Sequence, residues 1–253
     1  MSRGVPILMY HQVTRRPDPG FRKYAVGDVA FSRQMRWLGL ARYTAYTMDD
    51  LLAARERGRT LPPRSVIITF DDGFRDCLDS AVPALARHRF TATFFVVTGL
   101  MGEHSAWLVS ERGLSLALMD WHAARELEQH GFRCESHSVT HPRLAAVSTE
   151  RCAEELRASR DALAAELGRD VRHLAYPYGS YSSDVAAQAV ATGYATACTV
   201  DPGLSGAESL HALRRLHVSG FDSLLDFACR LRWGLSAPEL VAAARARLRP
   251  RSG

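Results

Sequence analysis

Lysine is all but missing from this chain. Lys23 stands alone among 32 basic residues, and the arginines that supply the rest bring the formal net charge to +5 while lying scattered along the sequence. A dispersed arginine excess reflects residue usage and lacks the clustering of a nucleic-acid footprint, so no nucleic-acid partner is expected. The five cysteines, Cys77, Cys134, Cys152, Cys198 and Cys229, are odd in number, far apart and without a Cys-x-x-Cys pair. That excludes a disulfide framework and a closed thiolate zinc site, and points to buried thiols in a reducing compartment. Long apolar runs are missing too: Val5 to Tyr10 is too short for a signal-peptide core or a membrane span. A cytoplasmic protein with no transmembrane segment is expected, exported only if a further segment precedes this sequence. No glycine-rich phosphate loop, fixed-period repeat or low-complexity tract is present, which excludes nucleotide-binding loops of the usual kinds and solenoids.

What is there suits one large core: 253 residues, 47% hydrophobic and 23% charged. Strand-like runs fall at Val5 to Tyr10, Ser65 to Phe70, Thr91 to Thr98, Phe132 to Ser136, Arg172 to Tyr176, Tyr194 to Thr199 and Arg215 to Val218. Helical patterns lie between them. Asp49 is placed to cap Leu51 to Arg57, Asp120 to cap Trp121 to His130, and Ser148 to cap Thr149 to Leu167 before Gly168. Alternating strand and helix predicts parallel βαβ units, as a barrel or an open sheet. The densest basic stretch, Arg245 to Arg251, closes a helical pattern in which Leu240, Val241, Ala244 and Leu248 recur. It is expected as a solvated terminal helix packed on the body, with peripheral membrane contact as the alternative.

Four segments with chemical potential share one topological position, just after a strand. Asp71-Asp72-Gly73 follows the buried run Val66 to Phe70. Adjacent residues of an extended chain face opposite ways, so two carboxylates there have different surroundings; an Asp-Gly turn is the plain alternative. His137 and His141 follow the strand ending at Ser136. Pro142 disfavours an α conformation at His141, which puts the pair on a loop. Two imidazoles with one carboxylate make a divalent-metal set that leaves positions open. Tyr176-Pro177-Tyr178-Gly179 turns sharply after a strand, where its backbone can present an N–H, and His11 ends the first strand. An α/β fold gathers its active site at the carboxyl ends of its strands.

These residues carry a family resemblance. Thr69-Phe70-Asp71-Asp72-Gly73 and His137-Ser138-Val139-Thr140-His141 match the first two motifs of the polysaccharide deacetylases with the NodB homology domain, carbohydrate esterase family 4. The likeness runs from about Val5 to Gly220 and implies a single-domain α/β fold, a deformed (β/α) barrel of about seven parallel strands, over residues 1–220. Residues 221–253 are then C-terminal helices packed on or trailing the barrel. Pro6 to His11 and the Tyr-Pro-Tyr-Gly segment look like the branch that includes poly-N-acetylglucosamine deacetylases of exopolysaccharide synthesis. In the third motif the arginine position is Ala175, so the group that braces Asp71 is unassigned.

The resemblance implies a metal-dependent hydrolase that removes N-acetyl groups from N-acetylglucosamine-containing glycans. Asp72, His137 and His141 would hold one divalent metal, zinc first, with cobalt, nickel or iron as other occupants. Asp71 would be the general base and His11 the acid. His217 is the alternative acid, from a loose match of the fifth motif at Leu213 to His217, where it would sit inside a strand. A backbone N–H near Tyr178, after Pro177, would hold the oxyanion. His88, His104, His122, His130, His173 and His211 match no motif and are expected to be structural or exposed. Other substrates stay open: a lipid-linked amino sugar, peptidoglycan or a non-sugar amide. A carbohydrate-binding protein without catalysis is the alternative of a different class.

Overall fold

Among the residues described, 4–248 for the backbone and 4–243 for side chains, the computed structural model has ten strands. They are β1 (Ile7–Tyr10), β2 (Gln12–Thr14), β3 (Ala25–Gly27), β4 (Thr44–Tyr46), β5 (Ser65–Phe70), β6 (Thr93–Val96), β7 (Arg133–Ser136), β8 (His173–Ala175), β9 (Thr196–Pro202) and β10 (Leu213–His217). Seven of them close a ring in the order β1-β10-β9-β8-β7-β6-β5, with β1 pairing back onto β5. Every pairing in the ring is parallel. This is a (β/α) barrel of seven strands. It is deformed where the β9–β10 register shifts between Leu213 and Arg215, and where β7 and β8 share one residue pair. β4 adds to the first half of β5 outside the ring, and β2 and β3 form a separate parallel pair.

Strands covered on both faces read as continuous apolar runs, and β1 and β5 are buried at every residue. Alternate residues then serve two cores. Ile7, Ile67, Phe95, Ala175, Cys198 and Leu213 meet inside the barrel, with Met48 and Leu51 packed against them, while Leu8, Ile68, Phe94 and Leu174 face the surrounding helices. Period two carries the inward face upward, so β5 presents Ile67, Thr69 and then Asp71. β10 presents Leu213, Arg215 and His217.

Two of the predicted caps form: Asp120 accepts from the Ala123 N–H, and Ser148 from the Arg151 N–H. The third is corrected. The helix begins at Met48, three residues before the predicted start, and Thr47 caps it in a reciprocal box with Asp50. Asp49 instead lies against Arg172 and His173. β10 begins two residues before its predicted start, which puts Arg215 at mid-strand, and ends one residue before its predicted end, which makes His217 the last position. After the barrel, the helix Leu224–Trp233 buries Phe227 against Trp37, and a second helix spans Ala237–Leu248. The basic side chains from Arg245 to Arg251 lie outside the described residues. Among the described residues no helix is long and apolar enough to cross a membrane.

Candidate active site

The turn after β5 separates its two carboxylates. Asp72 has φ +73°, a left-handed conformation uncommon outside glycine, and Gly73 follows at φ +75° with Val96 against the position a Cβ would take. Asp71 therefore stays in line with the inward face of β5, while Asp72 is swung toward the next loops. Both are buried.

Asp71 meets Arg215, a guanidinium with no exposed surface. Nη1 donates to Oδ1 at 2.6 Å and Nη2 to Oδ2 at 2.7 Å. Arg215 also donates to the Thr199 carbonyl and to Thr69 Oγ1, so four of its five N–H protons are directed. Burial by itself would raise the Asp71 pKa. The Arg215 charge and hydrogen bonds, with help from His137 and His11, outweigh it and hold the carboxyl below its ordinary value. Arg215 is the residue the sequence reading missed. Its position in a Leu-Arg-Arg-Leu-His run looks like half-exposed strand, and only the closure of the barrel, two strands from Ala175, brings it onto Asp71. Its one local signal was its parity with Leu213.

Asp72 Oδ1 lies 3.4 Å from His137 Nε2 and 3.2 Å from His141 Nε2. His137 Nδ1 is 2.7 Å from the Ala175 carbonyl. A carbonyl only accepts, so Nδ1 carries the proton and Nε2 turns a lone pair toward Asp72. His141 is held differently: Trp107 stacks on its ring at 4.3 Å and Tyr178 lies at 4.5 Å. The loop between the histidines uses left-handed Ser138 and His141. Buried Glu155 accepts from the Val139 and Thr140 N–H groups and the Thr140 hydroxyl. Burial raises the Asp72 pKa; when the two Nε2 atoms carry protons, their hydrogen bonds and charge overcome this and carry it far below the carboxylate range, whereas the neutral rings leave lone pairs there for an ion. One ligand atom from each of Asp72, His137 and His141 falls within 4.8 Å of the others, all buried. Electron pairs converging among buried ligand atoms fit a divalent cation, and two imidazoles with one carboxylate suit zinc, iron, cobalt or nickel.

Asp71, Asp72, His137 and His141 line one cleft of about 450 Å³ with His11, His217 and Tyr178. His217 lies in a strand as expected, and because β10 ends one residue before the predicted Val218 it stands at the strand's carboxyl end. Its ring is 5.8 Å from that of His11, with Tyr24 against both. Burial lowers both imidazole pKa values. His217 is pushed down to about 3, with His11 adding to the effect, whereas on His11 Asp72 and Asp71 pull the other way. Tyr178 takes φ +58° and donates its hydroxyl to Glu111 at 2.7 Å. Pro177 is buried behind it and does not line the cleft. His173 and His211 are tied to Thr196 and to the Tyr194 carbonyl, away from the cleft.

A sequence profile of the family described as polysaccharide deacetylase matches residues 58–197. The chain is 27% identical over 216 residues to YxkH of Bacillus subtilis, covering 85% of this chain and 71% of that one. It is 28% identical over 203 residues to the poly-beta-1,6-N-acetyl-D-glucosamine N-deacetylase of Staphylococcus epidermidis, covering 70% of this chain and 65% of that enzyme. In fold it resembles the Streptococcus pyogenes deacetylase PplD, solved in complex with acetate, with a TM-score of 0.79 at 24% identity over 91% of this chain and 99% of that one. Since the profile spans more than half of the chain, and its two strongest motifs converge on one cleft, the chain belongs to the polysaccharide deacetylase family.

Proposed function

We propose that this protein is a metal-dependent hydrolase that removes N-acetyl groups from N-acetylglucosamine-containing glycans. The observation that carries this reading is the division of labour between adjacent carboxylates. Asp72 faces two imidazoles, while Asp71 faces an arginine and the same cleft. A glycan-binding protein without catalysis has no use for a buried aspartate kept ionised beside a metal site.

Asp72, His137 and His141 would hold the ion, zinc first, with cobalt, nickel or iron as alternatives. A divalent cation bound there supplies Lewis acidity, lowering the pKa of water and polarising the acetamide carbonyl. Asp71 takes the proton of the attacking water as general base. Arg215 keeps that carboxylate ionised and fixes its plane, leaving the second lone pair of each oxygen for the cleft. The Tyr178 N–H, set by the turn after Pro177, donates to the developing oxyanion; a preorganised donor of this kind is worth roughly 3 kcal/mol of barrier. His11, whose pKa burial lowers on balance while Asp72 and Asp71 pull toward the protonated form, gives a proton to the leaving amine. His217 is the alternative donor.

The test is acetate release from N-acetylglucosamine oligomers, polymer and peptidoglycan fragments by metal-stripped protein, with each divalent ion restored in turn. Acetate that appears only with the ion is expected. No acetate from any glycan, with the ion bound stoichiometrically, would sink the reading and turn attention to non-sugar amides.

A further inference from the structure

The mouth of the cleft is cationic, and two of its cations have no carboxylate to answer them. Lys23 Nζ lies 5.3 Å and the Arg112 guanidinium 5.6 Å from the centre of the Tyr24 ring. All three residues line the cleft, and among the described residues neither cation forms an ion pair. Arg143, the third cation of the lining, differs: it sits 4.0 Å over the Tyr178 ring with Glu111 at 3.9 Å. Glu111 also accepts the Tyr178 hydroxyl, so the one carboxylate at the mouth is already engaged. Deeper in the cleft, Asp71 is matched by Arg215, and Asp72 faces the imidazoles.

Two unpaired cations beside one ring at the cleft mouth place donors there that favour a negative charge. The same Tyr24 ring is 5.1 Å from the His11 ring and 5.6 Å from the His217 ring. An anion seated on Lys23 and Arg112 is thus within one sugar residue of the group that protonates the leaving amine. We infer that Lys23, Arg112 and Tyr24 form an anion subsite, and that the substrate is an N-acetylated amino sugar carrying a carboxylate or phosphate on the reacting residue or its neighbour. This inference rests on the cleft being the deacetylase site. The sequence supports the assignment in one respect: a chain that uses arginine for every other basic position has its single lysine here.

The experiment separates the two readings. Calorimetric binding of N-acetylglucosamine, N-acetylmuramic acid and N-acetylglucosamine 6-phosphate to the metal-loaded Asp71→Asn protein reads the subsite without turnover. At low salt the anionic sugars should bind on the order of tenfold tighter than the neutral one, and the difference should shrink at high salt. Which of the two anions binds tighter separates a carboxylate substrate from a phosphate one. Lys23→Gln and Arg112→Gln, both exposed positions, should each reduce the preference, and together abolish it. Equal affinities for the three sugars, or a preference that survives both substitutions, would overturn the inference. Acetate release by the unmodified protein reports separately: no acetate with the preference intact removes the deacetylase reading and leaves the anion subsite standing.

Discussion

Replacing Arg215 with methionine should unbalance the site in a measurable way. The wild-type pair is fully buried and doubly hydrogen-bonded, at 2.6 and 2.7 Å. Removing one partner of such a pair leaves an uncompensated charge and typically costs about 3–5 kcal/mol. The double variant Arg215→Met, Asp71→Asn carries no charge at these two positions and should recover much of that loss, giving a coupling energy of about 2–3 kcal/mol. The sign of the pH dependence adds a second check. In the wild type the Asp71 pKa is held below its unfolded value, so its stabilisation is present above about pH 3.9 and is lost as pH falls through the depressed native value. In Arg215→Met burial is opposed only by His137 and His11, and the native pKa rises. That aspartate then destabilises at neutral pH and ceases to do so in acid. The stability gap between wild type and variant should therefore be widest near neutrality and narrow toward low pH. Urea denaturation of the metal-stripped proteins across pH measures both quantities. A single variant as stable as wild type, or a double variant no better than the single, would refute the reasoning.

Three further outcomes follow from the same geometry. Asp71→Asn should bind the divalent ion as wild type does while losing on the order of 10²–10⁴ in turnover, whereas His137→Ala should lose ion and turnover together; equilibrium dialysis beside an acetate assay distinguishes them. Glu155→Leu removes the acceptor of three donors in the histidine loop and should weaken ion affinity about 10–100-fold by chelator competition, with Glu155→Gln partly restoring it. Gly179→Ala would drive a Cβ into the Val200 side chain at φ +66°, so it should lower the melting temperature. Adding Val200→Ala should recover the steric part but not the roughly 1–2 kcal/mol of left-handed backbone cost.

Most of the barrel was legible because its strands are buried on both faces. Ser65–Phe70 is continuous apolar and β-branched sequence ending in Asp-Asp-Gly, and its boundaries emerge as predicted. The short strands Gln12–Thr14, Ala25–Gly27 and Thr44–Tyr46 were not, since three residues are too few to show a period. The helix Asp28–Leu40 also escaped, because Gly27 precedes it with no side-chain cap to announce it.

The sequence by itself determined which residues could carry the chemistry: Asp71 and Asp72 at one strand end, His137 and His141 after another, and His11 after the first. Such motifs are local, and local spacing is visible in one dimension. Only the tertiary structure decided the partners. Arg215 and Asp71 are 144 residues apart in the chain, and closing the ring of β1 on β5 and β10 makes them neighbours. It also placed His217 in the cleft, and Lys23 and Arg112 on one tyrosine. Those contacts arise from barrel closure and strand register, which no single stretch of the chain encodes.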